Sequence, residues 1–308
     1  MFPIRLTLFF LLILSLLVTS CGIASAVLPV ESGAHTEELI EVIQPESTVS
    51  FKEGLPTSFT FLLPDGTHSV TLNRGENLFS GVSALISQSL QDERASAFNR
   101  PEMFCLELQG FTSSGTLRTP QICILPAEIY AAMNPDAAVQ IAELKTLLAQ
   151  QPDLIQSSQP LPYLPLQNAV QVMKSQPTFL NFQNAAGVRY LTAHVQSPVP
   201  VTNTTLTYTF QGLTKDGSFI ITALLPVSHP DLEPHKIFSQ SEQDSEGYQM
   251  PIEQYAEYGM NLESQLNAYD PTEFTPALSA LDALVQQISI QKPGSSVDDT
   301  TEASDAAQ

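Results

Sequence analysis

The chain has 308 residues and 43% of them are hydrophobic, which is enough to bury the core of one large domain or two small ones. Acidic residues outnumber basic residues 32 to 12, which gives a formal net charge of −20. A surface of this charge repels phosphate backbones, so we expect no nucleic-acid partner.

The first 20 residues follow the order of features expected of a secretion signal. Arg5 supplies a positive charge near the start, residues 6–18 form a short apolar stretch, and small residues follow. Residues 18–21, Val-Thr-Ser-Cys, resemble the lipobox of bacterial lipoproteins. The resemblance implies a signal peptide over residues 1–20 and a diacylglyceryl group on Cys21. The membrane is then a partner through this lipid anchor, and the remaining chain lies on the extracytoplasmic face of a bacterial membrane.

Two other interpretations of this segment stay open. Residues 24–26, Ala-Ser-Ala, fit an ordinary cleavage site, which predicts a soluble secreted protein that begins at Val27. Residues 6–30 carry no charged side chain and are long enough to span a bilayer as an uncut anchor. All three interpretations place most of the chain outside the cytoplasm.

The next two regions predict a tether and a β-rich region. Residues 21–47 carry five glutamates and predict an acidic tether. Residues 48–150 predict short strands followed by a helix. Within them Pro64-Asp65-Gly66 predicts a hairpin turn, residues 80–90 predict a short amphipathic helix, and Asn134-Pro135 predicts the start of the final helix.

The two remaining cysteines lie in two stretches that have the composition of strands. Cys105 and Cys123 are equally far from Ser114, which lies in a turn-like cluster, so a hairpin centred there places them opposite each other. Cross-strand neighbours lie at a separation that a disulfide can bridge, and an oxidising compartment permits the bond. We therefore expect a disulfide, with two buried reduced thiols as the alternative.

The second half of the chain predicts an antiparallel sheet with helices. Residues 151–167 contain four prolines and predict a linker or a long structured loop. Residues 168–291 predict a meander, two helices and a short final strand, and residues 292–308 predict a disordered acidic tail. The fold class is therefore predicted to be α+β, with an antiparallel β-sheet packed by helices.

One strand of the predicted meander has alternating apolar and hydroxyl side chains. Leu206, Tyr208 and Phe210 alternate with Thr205, Thr207 and Thr209, which predicts one buried face and one wet face. Together with Tyr190, the two aromatic residues of this strand are predicted to be core, with a ligand groove as the alternative.

Three stretches of the second half carry a family resemblance. Residues 179–192, 206–217 and 223–230 resemble a group of extracytoplasmic envelope proteins of Chloroflexota. Residues 281–288, together with the strand Gly187-Val188-Arg189-Tyr190-Leu191, show a looser resemblance to the PsbP-type α/β sandwich. The first resemblance implies an envelope protein, and the second implies a fold but no activity.

The loop after the meander carries the best candidate for metal chemistry. His229, Asp231, Glu233 and His235 lie within eight residues, and imidazoles and carboxylates are metal ligands. Their spacing matches no established metal motif, so a polar surface loop is the preferred interpretation.

The functional expectation follows from the predicted location and from the motifs. The chain contains no Gly-x-Ser-x-Gly and no glycine-rich phosphate loop. The sequence favours a non-enzymatic envelope protein, without a cofactor, that binds a small ligand or another envelope protein. The alternatives are an assembly factor for a membrane complex, as in PsbP-type proteins, and a metal-dependent hydrolase.

Overall fold

Fourteen strands and four helices form the described part of the protein, a computed structural model. The structure describes residues 42–43, 48–50, 58–73, 78–112, 119–157, 159–234 and 250–292. The predicted signal segment, Cys21, nearly all of the predicted tether, His235 and residues 293–308 of the predicted tail lie outside these ranges.

The elements are numbered in chain order. The strands are β1 (Val42–Ile43), β2 (Thr48–Ser50), β3 (Ser58–Leu62), β4 (Ser69–Asn73), β5 (Gly81–Ser87), β6 (Met103–Gln109), β7 (Gln121–Pro126), β8 (Val170–Gln171), β9 (Ser175–Phe182), β10 (Ala185–Thr192), β11 (His194–Val195), β12 (Thr207–Thr214), β13 (Phe219–Pro226) and β14 (Ile288–Gln291). The helices are α1 (Ala127–Met133), α2 (Pro135–Gln150), α3 (Ile252–Ala268) and α4 (Leu278–Gln286).

The main sheet has eight strands in the order β2-β5-β6-β7-β13-β12-β10-β9, and every neighbouring pair is antiparallel. A second sheet has the order β1-β3-β4-β14, and β8 pairs with β11. The predicted fold class is confirmed, because antiparallel sheets packed by helices form the structure. β7, from the predicted region 48–150, pairs with β13, from the predicted region 168–291.

Alternating side chains of the main sheet enter two separate layers of packing. One face, which we call the core face, carries Phe104, Tyr208 and Phe210 and packs against the second sheet, α3 and α4. The opposite face, which we call the α2 face, carries Cys105, Cys123 and Tyr190 and packs against α1, α2 and parts of residues 154–166. Burial of apolar side chains on both faces stabilises this arrangement by about 25 cal/mol per Å² removed from water.

The prediction that one face of the strand over residues 205–210 is exposed to solvent is wrong. Thr207 and Thr209 are 4% and 0% exposed, because α2 and the proline-rich residues 160–165 cover the face on which they lie. Gln211, on the same face, accepts a hydrogen bond from the Leu164 N–H and donates one to the Leu164 carbonyl. The predicted proline-rich segment is therefore a structured layer over the sheet.

The short helix predicted over residues 80–90 is also wrong, because this segment forms β5. Val82, Ala84 and Ile86 alternate into the core face, and the backbone groups of β5 pair with β2 and β6. A short apolar run fits a helical period and a strand period equally well, and here pairing within the sheet decides between them.

Several local predictions are confirmed. The Asn134 side chain accepts hydrogen bonds from the backbone N–H groups of Asp136 and Ala137, so it caps α2 with Pro135 at the first helical position. β3 and β4 form the hairpin around Gly66, which has a φ of 66° and therefore favours glycine. No helix in the described ranges is long and apolar enough to cross a membrane.

Candidate functional site

α3 is held against the edge of the main sheet by one buried face. Its buried residues Tyr255, Gly259, Leu262 and Leu266 recur at helical spacing, and the helix packs beside β9, the last strand of the sheet. A Cβ at position 259 would lie 2.5 Å from the carbonyl oxygen of Val172, so glycine permits this close approach of helix and backbone.

Polar side chains of α3 complete the attachment. The Glu263 carboxylate accepts a hydrogen bond of 2.9 Å from the Lys174 N–H, and Asn267 Oδ1 accepts one of 2.6 Å from the Gln176 N–H. The Tyr255 hydroxyl donates to the Val199 carbonyl at 2.7 Å, and burial raises the pKa of Tyr255 to about 12, so the hydroxyl remains a donor at neutral pH. Side chains of α3 therefore satisfy backbone N–H groups at the start of β9, at the edge of the sheet.

A second face of α3 leaves apolar side chains in solvent. Ile252, Ala256 and Met260 are spaced by four residues and share this face. Across from them lies Val170 of β8, and Ile252, Met260 and Val170 are each 66% exposed. These residues line a groove of about 440 Å³ between α3 and residues 159–174, which we call the α3 groove.

The lining of the α3 groove includes one buried cation, Lys174, and two of its three N–H donors are engaged by backbone carbonyls. The Lys174 ammonium donates to the Leu154 carbonyl at 3.2 Å and to the Ser157 carbonyl. Burial lowers the pKa of Lys174, and the nearby Glu263 carboxylate opposes this shift. The ammonium therefore has a structural role in fixing residues 154–157.

The chemistry of the α3 groove suits binding. The reactive side-chain types that line it, Lys174, Tyr255 and Glu263, each make hydrogen bonds to the backbone that hold the groove together. Val170, Ile252, Ala256 and Met260 give it an exposed apolar surface, and the exposed Glu253 and Glu257 lie on the same helix. An apolar surface of this kind, beside acidic side chains, is typical of a contact with another molecule.

The predicted metal residues are placed in a different arrangement. The His229 ring is 3% exposed and stacks on the Tyr269 ring with centroids 3.8 Å apart. Its Nδ1 accepts a hydrogen bond from the Asp231 N–H, and its Nε2 lies 3.5 Å from a carboxylate oxygen of Glu273. The Asp231 carboxylate accepts a hydrogen bond from the Tyr269 hydroxyl at 2.7 Å.

This arrangement ties the loop after β13 to the segment between α3 and α4. Glu233 is exposed, and its backbone carbonyl accepts a hydrogen bond from the Asn203 N–H. Within the described ranges no group of three His, Cys, Asp or Glu side chains is placed to hold a metal ion. His235 lies outside those ranges, so only three of the four predicted residues are located.

The predicted cysteine pair is present. Cys105 and Cys123 are directly opposite each other in β6 and β7, with Cα atoms 4.1 Å apart, and their sulfur atoms are bonded. Three aromatic residues predicted to be core are all 0% exposed, which confirms that prediction over the alternative of a ligand groove: Tyr190, Tyr208 and Phe210.

A buried ion pair was missed by the sequence analysis. The Arg189 guanidinium donates two hydrogen bonds of 2.9 Å to the Asp282 carboxylate, and the Tyr208 hydroxyl donates a third of 2.8 Å. Burial and the nearby Asp282 carboxylate raise the pKa of Tyr208 well above its usual range, which keeps the hydroxyl a donor. The one signal in the sequence is a charged residue, Arg189, between apolar residues of a predicted strand.

Comparison of this chain with protein-family models, with curated proteins and with solved structures finds no match.

Proposed function

We propose that this chain is a lipid-anchored extracytoplasmic protein that binds another envelope protein through the α3 groove. The observation that carries the proposal is the convergence of Val170, Ile252 and Met260, each 66% exposed, on one groove. Isolated apolar side chains on a surface need no explanation, whereas several that line one concave surface mark a contact site.

The charges of the chain restrict what fits the α3 groove. Glu253 and Glu257 are exposed on the same helix, and the chain carries a net charge of −20. An anionic lipid surface would be repelled by these charges. The expected partner segment is therefore apolar where it enters the groove and neutral or basic at its edges.

Site-specific photocrosslinking in the native cell tests the groove. We expect a photoreactive residue at position 260 or 170 to give one discrete protein adduct. Ile129 on α1 is 54% exposed and does not line the α3 groove, so it serves as the matched control position, where no such adduct is expected. Placing Glu at position 252 should remove the adduct. Equal adducts from all three positions, or an adduct that the charge at 252 does not affect, would count against the proposal.

The intact mass of the protein recovered from its membrane tests the anchor separately. We expect a chain that begins at Cys21 with a diacylglyceryl group, and that gains two mass units on reduction because Cys105 and Cys123 are bonded. A chain that begins at Met1 or Val27 would overturn the lipid anchor while leaving the α3 groove untouched.

The assembly-factor alternative predicts a different crosslinked species. If the partner is a subunit of a membrane complex, the adduct at position 260 should migrate with that complex in native gels. A partner that binds transiently should be lost from such gels unless it is crosslinked.

A further inference from the structure

A second cavity, of about 560 Å³, lies on the α2 face of the main sheet beside the disulfide. We call it the Arg100 cavity. Its floor includes Leu85 of β5 and Cys105 of β6, which are opposite each other in the sheet. Phe98 and Arg100 form one wall and residues 165–168 form the other. Cavities of this size are typical of small-molecule sites.

Both walls of the Arg100 cavity are fixed by buried polar side chains. Asn134, which is 0% exposed, donates hydrogen bonds of 2.9 and 3.0 Å to the carbonyl oxygens of Ala97 and Asn99. The Tyr130 hydroxyl, also buried, accepts a hydrogen bond of 2.9 Å from the Leu166 N–H. A ligand would therefore meet a cavity that is already formed, which lowers the entropy cost of binding.

Two hydrogen bonds hold the guanidinium of Arg100 in place and leave some of its N–H donors unused. It donates to the Gln88 carbonyl at 3.1 Å and to the Ser87 hydroxyl at 3.0 Å. A guanidinium has five N–H donors, so about three remain for a ligand. In the described residues no carboxylate forms a salt bridge with Arg100, although acidic residues outnumber basic residues in the chain 32 to 12.

The cavity also contains one negative charge. Glu107 lines it and lies directly opposite Gln121 in the sheet, and no described cation forms a salt bridge with this carboxylate. A simple anion would be attracted by Arg100 and repelled by Glu107, and a simple cation would meet the reverse. A molecule with one group of each sign is attracted by both.

We propose that the Arg100 cavity binds a zwitterionic amino acid or short peptide with apolar side chains. The ligand carboxylate pairs with Arg100, its ammonium group pairs with Glu107, and its side chains contact Leu85, Phe98 and Leu166. Pairing of a guanidinium with a carboxylate supplies both charge and geometry. This cavity shares no lining residue with the α3 groove. The ligand proposed here and the partner proposed for the α3 groove can therefore be tested independently.

Titration calorimetry on the full chain tests the proposal, with the dipeptide L-leucyl-L-leucine as the probe. We expect the dipeptide to bind, and its C-terminal amide and its N-acetyl derivative to bind at least about tenfold more weakly, since each loses one charged contact. These comparisons use the unaltered protein and do not depend on the folding of a variant.

Two variants and one control locate the site. Arg100→Gln and Glu107→Gln should each weaken binding of the dipeptide at least about tenfold. Arg94→Gln removes an exposed cation from the same connection between β5 and β6, outside the cavity, and should leave binding unchanged. No binding of the dipeptide at millimolar concentration would overturn the proposal, as would equal binding of the dipeptide and its amide.

Discussion

At the scale of single residues, the buried pair Arg189–Asp282 is a contact that tolerates the loss of one partner poorly. Asp282→Asn leaves the guanidinium, which is 4% exposed, without a counter-charge. We expect this variant to lose about 3 kcal/mol of unfolding free energy, because one partner of a buried pair remains charged. Denaturant unfolding followed by circular dichroism measures the loss.

A double variant tests whether the loss of stability comes from the unpaired charge on Arg189. Arg189→Met combined with Asp282→Leu removes both charges, so it should be more stable than Asp282→Asn alone. Recovery should be incomplete, because the Tyr208 hydroxyl loses its acceptor in the core. A double variant that is less stable than Asp282→Asn would contradict this prediction. The hydrogen bonds and packing of the pair would then matter more than the unpaired charge.

A second prediction at this scale concerns Asp216, in the turn between β12 and β13, and the loss of its stabilising contribution at acidic pH. A hydrogen bond of 2.6 Å from the Thr214 hydroxyl, supported by one from the Ser218 N–H, lowers the pKa of Asp216 below its usual 3.8. The folded pKa lies below the unfolded pKa, so the carboxylate contributes stability above the unfolded value. That contribution is lost as the pH falls through the folded value.

Comparison of the wild type with Asp216→Asn across pH measures this contribution. Because the carboxylate is exposed, we expect a difference of only a few tenths of a kcal/mol at neutral pH, closing at strongly acidic pH. Neutralising any acid also relieves the repulsion in a chain of net charge −20, so Glu257→Gln on α3 provides the background. If the unfolding free energies of Asp216→Asn and Glu257→Gln depended on pH in the same way, the hydrogen bonds to Asp216 would contribute no pH-dependent stability.

At the scale of elements, α3 depends on one glycine. Ala at a helical position normally stabilises by up to about 1 kcal/mol relative to Gly. At position 259 the added Cβ would lie 2.5 Å from the backbone oxygen of Val172, which cannot rotate away as a side chain can. We expect Gly259→Ala to lose a net of about 1–2 kcal/mol of unfolding free energy, because overpacking outweighs helix propensity.

The exposed Ser264 on the same helix gives the control for Gly259. Ser264→Ala changes helix propensity without a close contact, so it should be neutral or slightly stabilising in the same unfolding experiment. Equal stability of Gly259→Ala and Ser264→Ala would contradict the prediction. It would mean that residues 170–174 shift to make room for the added Cβ. The α3 groove would then be more adaptable than its walls suggest.

The same elements show which features a sequence can predict. Asn134 with Pro135 predicts the start of α2 because a cap is satisfied by groups within three residues, and the Cys105–Cys123 pair follows from strand symmetry. β5 and the buried Thr209 were not predictable in this way, because β5 is decided by its pairing with β2 and β6, and Thr209 by the layer that packs on its face of the sheet. The α3 groove and the Arg100 cavity combine segments more than 40 residues apart, and for the same reason no local pattern predicts them.

At the scale of the whole molecule, the pairing of β7 with β13 determines how the protein unfolds. Six residue pairs join these strands, from Phe219 opposite Pro126 to Leu224 opposite Gln121. Breaking this contact would expose a strand edge in each half and the apolar side chains on both faces. We therefore expect residues 48–150 and 168–291 to unfold together in a single cooperative transition.

The absence of tryptophan from the sequence makes this prediction straightforward to measure, because one introduced indole reports on one half alone. Phe111 and Phe179 are both partly buried beside the core, one in each half, so Phe111→Trp and Phe179→Trp should perturb the packing little. In denaturant the two variants should show the same midpoint and the same slope, and circular dichroism should coincide with both. Two separate midpoints would mean that one half unfolds while the other remains folded, so that the β7–β13 pairing is lost in the first of two transitions. Arg100 and Glu107 both belong to the first half, so the Arg100 cavity would then be lost at the midpoint that Phe111→Trp reports.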